Sequence, residues 1–514
     1  MSSSFLFHLV FSVMVENNSM TSPLIMVIFG ATGDLMHRKL MPAFYHLIKD
    51  GEVSQDLIIV GVGRREITTD QFREMMATAV QEVNPKEFKL ELWEKIISHM
   101  EYQKGKFEDE SLYSNLTTLL EKFDADFRAC VPRFFYLATP PQHYETILTH
   151  LHNSKLSEGC GQGTSLYTRL LIEKPFGKDL ETAQHLDQLL GKIFEERQIY
   201  RIDHYLGKET VQNILSFRFA NGMFEPTWNN KFIDHVQITL AEETGVGNRG
   251  TFYDGVGALR DVVQNHMLEM LAVCAMEQPR AFDAASIRDE RVKVMRAINC
   301  IAPATVATAV VRGQYEGYLK EKDISPVSET ETFIALKLTI DTPRWRGVPF
   351  YIRTGRKLPK KVTEISIHFK KPIVCSTDTT KIEGQVCLFP EPKVLQNVLS
   401  IRIEPDEMIT LRLMAKKPGF GTDLTPIKMT FDYKETFQED SPAAYERLLL
   451  DTIHGDATLF ARTDGIAASW QFVTQILKGF SKIEPKLISY KPGTWGPVDA
   501  DKLIEKDGRH WFLG

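Results

Sequence analysis

Apolar residues are arranged in two ways along this chain. Up to about residue 200 they come in short, nearly unbroken runs, Leu24–Phe29, Leu57–Val60, Arg133–Ala138 and Thr168–Glu173, separated by stretches with helical texture. Continuous runs of this length are expected of strands covered on both faces, and strands alternating with helices imply a parallel, doubly wound sheet. Beyond residue 200 the pattern alternates. His235–Glu243, Phe333–Ile340, Ile365–Phe369, Leu399–Ile403, Ile409–Leu413 and Ile427–Tyr433 read as half-exposed strands of a second domain built on a large, mostly antiparallel sheet with helices. The reading is therefore α/β plus α+β, with residues 1–22 outside the fold, 23–200 as the first domain and 201–514 as the second.

The first strand runs directly into Gly30-Ala31-Thr32-Gly33-Asp34-Leu35, and Met36–Ile48 reads as a helix. A strand, a glycine turn and a helix N-terminus form the Rossmann-like context in which backbone N–H groups meet a pyrophosphate. The second strand ends at Arg64-Arg65-Glu66. An acid at that strand end serves a ribose 2′-hydroxyl and an arginine a 2′-phosphate, so both NAD and NADP stay open. Lys174 follows the strand Thr168–Glu173, at an end where ligands of such sheets gather.

Arg201-Ile-Asp203-His204-Tyr205-Leu-Gly207-Lys208, continued by Arg218-Phe-Ala-Asn221, stands at the domain boundary. Asp203 can orient a base, and His204, Tyr205 and Lys208 are donors suited to a phosphate. The glycine-rich loop Gly245–Gly255 looks mobile, and the helix after it carries Asp261 and His266. At about 100° per residue those two lie on different faces, so a carboxylate for His266 has to come from elsewhere, with Asp203 the natural candidate.

With 514 residues, 43% apolar and 25% charged, the chain suits a soluble protein of at least two domains. A net charge of −6 gives nucleic-acid binding no support. Six dispersed cysteines without C-x-x-C spacing read as reduced thiols and argue against zinc, so no metal is expected. Phe5–Val15 lacks a basic flank and falls short of the roughly 20 apolar residues of a membrane span, leaving a cytoplasmic reading.

Gly30-Ala-Thr-Gly-Asp-Leu35, Glu173-Lys-Pro-Phe-Gly177, Arg201–Lys208, Arg218–Asn221, Arg260-Asp-Val-Val-Gln-Asn-His266, Arg353-Thr-Gly355, Tyr445–Asp451 and Gly455–Phe460 together resemble the glucose-6-phosphate dehydrogenase family, over roughly residues 23–500. The resemblance implies oxidation of glucose 6-phosphate at C1 with hydride passed to NADP, in a homodimer or homotetramer. It also implies roles. His266 would be the general base and Asp203 its carboxylate; His204, Tyr205 and Lys208 would take the phosphate, and Glu242 and Asp261 the sugar hydroxyls. Lys174 would serve both substrate and cofactor, Gly30–Leu35 the pyrophosphate, Arg64 the 2′-phosphate, and Tyr144 would line the cofactor pocket. The family commonly has lysine where this chain has Arg356, with Lys357 next and a second cation at Lys361, so the resemblance does not carry the substrate contact there over unchanged. A relative acting on another hexose phosphate, use of NAD as well, and a non-catalytic sensor on the same fold are the rival readings.

Overall fold

The computed structural model describes residues 23–159, 168–371, 395–421, 423–438, 441–482 and 486–514. The extension 1–22 and Cys160, Cys375 and Cys387 lie outside them. The chain divides into two compact units. The first takes the described residues up to Lys174, with Leu186–Ile202 and Tyr445–Ala457; the second takes Pro175–His185, Asp203–Ala444 and Thr458–Gly514.

The first unit holds β1 (Leu24–Phe29), β2 (Leu57–Gly63), β3 (Met100–Lys104), β4 (Arg133–Leu137), β5 (Thr168–Glu173) and β6 (Ile199–Ile202). They form one sheet in the order β3-β2-β1-β4-β5-β6, every pairing parallel. The order reverses between β1 and β4, which leaves a crevice at their carboxyl ends, where Gly30 begins. All residues of β1, β2 and β4 are buried, as their unbroken apolar runs require. β3 and β6 went unread because their sequences, Met-Glu-Tyr-Gln-Lys and Ile-Tyr-Arg-Ile, carry charges.

Tyr445–Ala457 belongs to this first unit although it is remote in sequence. His46 Nδ1 lies 2.6 Å from Glu446 Oε1, Tyr445 donates to Glu173 Oε1 at 3.1 Å, and Arg169 donates to the Ile453 carbonyl at 2.8 Å.

The second unit adds β7 (Ile233–Ala241), β8 (Val310–Tyr315), β9 (Phe333–Thr339), β10 (Pro349–Gly355), β11 (Val362–Phe369), β12 (Val398–Glu404), β13 (Met408–Lys416), β14 (Leu424–Asp432) and β15 (Ile488–Tyr490). Their order is β14-β13-β12-β11-β7-β10-β9-β8-β15. Most pairings are antiparallel, but β7 with β10 and β8 with β15 are parallel. β7 is not the half-exposed strand its alternation suggests. It is central in the sheet, and its polar members His235, Gln237 and Thr239 are buried. His235 stacks on His368 with centroids 4.1 Å apart, and the Gln237 amide donates to the His510 carbonyl at 2.9 Å.

The expectation of reduced thiols fails at Cys130, which is disulfide-bonded, whereas Cys274 and Cys300 are free. A disulfide needs two Cα atoms within about 7 Å in space, and spacing along the chain cannot report that.

Candidate active site

Asp203 opens a tight turn in which Leu206 N–H donates to the Asp203 carbonyl at 3.0 Å, and Lys208 then caps the helix Glu209–Phe219. The turn folds the Asp203 carboxylate back onto its own chain, where Oδ1 accepts the Tyr205 N–H at 3.0 Å. His266 comes from the segment Leu259–Met267, which is a π-helix leading into the α-helix Leu268–Ala275. Its Nδ1 is bonded to Asp203 Oδ1, with both side chains almost wholly buried, at 3% and 2% exposure. The rings of His204 and Tyr205 lie 4.7 and 4.5 Å from that of His266. Ligand atoms of Asp203, His204 and His266 fall within 4.8 Å of one another, the one such group of three among the described residues.

The Asp203 carboxylate thus meets His266, but α-helical spacing is not what keeps Asp261 from that place. A π-helix bonds i to i+5, so residues five apart come round toward one face, and α-helical spacing does not separate Asp261 from His266. The ion pairs of Asp261 run to arginines, with Oδ2 3.4 Å from Arg356 and Oδ1 3.9 Å from Arg249. The Arg356 guanidinium lies over the Tyr253 ring at 5.0 Å, and Tyr490 donates to its carbonyl at 2.6 Å. Glu242 follows β7, tied by its N–H to the Gly355 carbonyl at 2.9 Å and by its carbonyl to Leu358 N–H at 3.0 Å.

At the other end of this site Lys208 and Lys361 both pair with Glu404. The Tyr205 hydroxyl, bonded to Thr363, is raised far above its ordinary pKa by burial, so it stays a neutral donor. Asp203, His204, Tyr205, Lys208, Glu242, Asp261, His266, Arg356 and Lys361 thus all belong to the second unit. Glu404 and Arg249 were missed. Arg249 sits in a glycine-rich loop, and a carboxylate at the end of an alternating strand is ordinary in a sequence.

The loop Gly245–Gly255 is pinned rather than loose. Gly247 N–H donates to Glu321 at 2.7 Å and Val246 N–H to the Tyr315 hydroxyl at 3.2 Å. Asp254 accepts from Tyr318 at 3.2 Å and Thr330 at 2.8 Å.

Three arginines of the sequence motifs have structural duties. Arg201 pairs with Glu196 at 2.8 Å and Asp187 at 3.1 Å. Arg218, fully buried, donates to the carbonyls of Cys274 and Met276 and pairs with Glu225. Arg353 is held between Trp495 and Trp511, 4.7 and 4.4 Å from their ring centres, and burial pushes its pKa down to about 10.

In the first unit Gly30 adopts φ 87°, and a Cβ there would meet the Ala138 carbonyl oxygen at 2.5 Å, so only glycine fits. Gly33 N–H closes the turn on the Gly30 carbonyl at 2.9 Å, while Asp34 pairs with Arg38 at 2.7 Å. Arg64 is exposed at the end of β2, and the neighbouring Glu66 is drawn away by Lys104 at 2.5 Å. Tyr144 is buried, donating to the Glu173 carbonyl at 2.9 Å, just before half-buried Lys174.

A parallel sheet whose first strand ends in a glycine turn, joined in one chain to a unit with a carboxylate-backed histidine, defines a two-domain nicotinamide-dependent dehydrogenase. The family model for the glucose-6-phosphate dehydrogenase NAD binding domain matches residues 27–213, and that for the C-terminal domain residues 215–512. On these matches the chain belongs to the glucose-6-phosphate dehydrogenase family. It is 43% identical over 500 residues to glucose-6-phosphate 1-dehydrogenase of Chlamydia pneumoniae, covering 95% of this chain and 96% of the relative. Against the enzyme of Aggregatibacter actinomycetemcomitans identity is 45% over 499 residues, covering 94% and 96%. A solved glucose-6-phosphate dehydrogenase in complex with glucose 6-phosphate matches with TM-score 0.85 and 31% identity, over 96% of this chain and 99% of the other.

Proposed function

We propose that this protein oxidises D-glucose 6-phosphate at C1 to 6-phospho-D-glucono-1,5-lactone with NADP⁺ as acceptor, the first step of the oxidative pentose phosphate pathway. The observation that carries the chemistry is the buried His266–Asp203 pair. A carboxylate only accepts, so Nδ1 carries the proton of that bond, and the lone pair of the imidazole sits on Nε2. Nε2 takes the proton of the C1 hydroxyl as hydride departs, and Asp203 stabilises the imidazolium that results. Glu242 and Asp261 accept from sugar hydroxyls, and His204, Tyr205, Lys208 and Lys361 receive the 6-phosphate, whose binding energy holds C1 before the base. Arg356 acts beside Asp261, on whose carboxylate it bears.

When bound, the cofactor supplies the hydride acceptor. The residues present fit it: the turn Gly30–Leu35 offers N–H groups to a pyrophosphate, and Arg64 offers a guanidinium to a 2′-phosphate while Glu66 is occupied by Lys104. Tyr144 supports the end of β5 from beneath, and Lys174 serves cofactor and substrate. Self-association through the second unit's sheet belongs to this reading, supported by the edge strand β14, which leaves Ile427 and Met429 exposed near Phe437. A cytoplasmic location goes with a dianionic substrate that does not cross a bilayer. No helix among the described residues is long and apolar enough to cross a membrane.

The test is reduction of NADP⁺ and of NAD⁺ by the purified chain, with glucose 6-phosphate, galactose 6-phosphate and glucose as substrates. Turnover is expected with glucose 6-phosphate and NADP⁺. Equal turnover with galactose 6-phosphate overturns the substrate assignment, and equal turnover with NAD⁺ overturns the role of Arg64.

A further inference from the structure

The phosphate end of the site contains a carboxylate that no step of the reaction uses. Glu404, the last residue of β12, lies opposite Thr363 of β11, the residue that bonds the Tyr205 hydroxyl. Its Oε1 is paired with Lys208, and its Oε2 lies 3.0 Å from Lys361 Nζ. The Glu404 side chain is 15% exposed, against 25% for Lys208 and 50% for Lys361, so the carboxylate is the most buried member of the trio. Burial pushes the Glu404 carboxyl up, but the two lysines more than offset this and hold it below the usual carboxylate range, so it is ionised at neutral pH.

Two opposed effects follow for a phosphate arriving above these lysines. Glu404 orders their side chains, which favours binding. It also cancels one of their two charges and repels the newcomer, a dianion about twice as strongly as a monoanion. The ordering gain is small for Lys208, whose backbone is fixed at the N-cap position of the helix Glu209–Phe219 and whose side chain is only 25% exposed. The repulsion acts in a site partly shielded from water, where screening is weak. Repulsion outweighs ordering.

We propose that Glu404 is an affinity-setting counter-ion of the phosphate subsite. It halves the net charge of the lysine pair in the empty enzyme and holds the site weak for free inorganic anions, so that only a ligand bringing sugar hydroxyls as well as phosphate binds productively. This rests on the assignment of Lys208 and Lys361 to the 6-phosphate.

The experiment compares full-length wild type with Glu404→Gln, which keeps shape and loses charge, and Glu404→Asp, which keeps charge. KM for glucose 6-phosphate and the competitive inhibition constant of inorganic phosphate are measured under saturating NADP⁺. For Glu404→Gln the phosphate inhibition constant is expected to fall about tenfold and KM several-fold, a tenfold change being about 1.4 kcal/mol, with the effect on KM rather than kcat. Glu404→Asp is expected to stay within about twofold of wild type. A phosphate inhibition constant that is unchanged or raised in Glu404→Gln overturns the proposal. Should that variant not fold, Glu404→Ala carries the same expectation. Lys208→Met tests the underlying assignment separately: if its KM for glucose 6-phosphate does not rise, the phosphate lies elsewhere, whatever Glu404→Gln shows.

Discussion

His266 Nδ1 is bonded to Asp203 Oδ1 across 63 residues of sequence, and both side chains are buried. The pairing fixes the tautomer of His266 and gives its positive form a counter-charge. Asp203→Asn keeps the side chain's shape and removes the charge, so kcat is expected to fall by roughly 10²–10⁴-fold, with glucose 6-phosphate binding retained in calorimetry. His266→Asn should fall at least as far. A variant that lost binding but kept kcat would assign the pair to substrate affinity instead.

On the proposed reading, Arg64 supplies the charge for cofactor choice. It is exposed at the strand end while Glu66 is engaged by Lys104. Hydrogen bonds to charged groups contribute about 1.5–3 kcal/mol, so Arg64→Ala is expected to raise KM for NADP⁺ by roughly 10–100-fold. KM for NAD⁺, which has no 2′-phosphate, should change far less. Paired cofactor titrations give the ratio directly.

The Arg356 guanidinium lies over the Tyr253 ring and 3.4 Å from Asp261. Truncation to alanine leaves Asp261 buried without this cation. A loss of roughly 10-fold or more in kcat/KM is expected, seen chiefly in KM for glucose 6-phosphate. Arg356→Lys keeps the charge and gives up the stacking, so it should fall between wild type and alanine.

His46 ties the returning segment Tyr445–Ala457 into the first unit. The bond to Glu446 raises the His46 pKa above its ordinary 6.5, against the lowering effect of burial. A raised folded-state pKa contributes stability that is complete below the unfolded value and is lost as pH rises through the folded one. Amide exchange in residues 445–457 is therefore expected to be slower, relative to the intrinsic rate, at pH 6 than at pH 9. Glu446→Gln should flatten that dependence, and a segment equally protected at both pH values in wild type would show that the bond does not anchor it.

Much of the architecture was legible in the amino-acid order because its causes are local. Leu24–Phe29 is apolar throughout and buried throughout, and Gly30 marks a turn that no side chain could enter. The density of polar groups from Asp203 to Lys208 marked the site by composition alone, and the strands Phe333–Thr339 and Val398–Glu404 followed from period. Tertiary structure decided the rest, since it depends on residues remote in sequence. Central placement between β10 and β11 buries the polar members of β7, and the β11–β12 register sets Glu404 opposite Thr363, where it pairs with both lysines. The π-helical turn brings residues five apart toward one face, which a reading at α-helical pitch excludes. Arg353 and Arg218 look like site cations in a motif, but indole rings and buried carbonyls from distant segments enclose them. Periodicity reports which face of an element is apolar; which neighbour covers that face, and so which charges meet, is settled only when the chain packs.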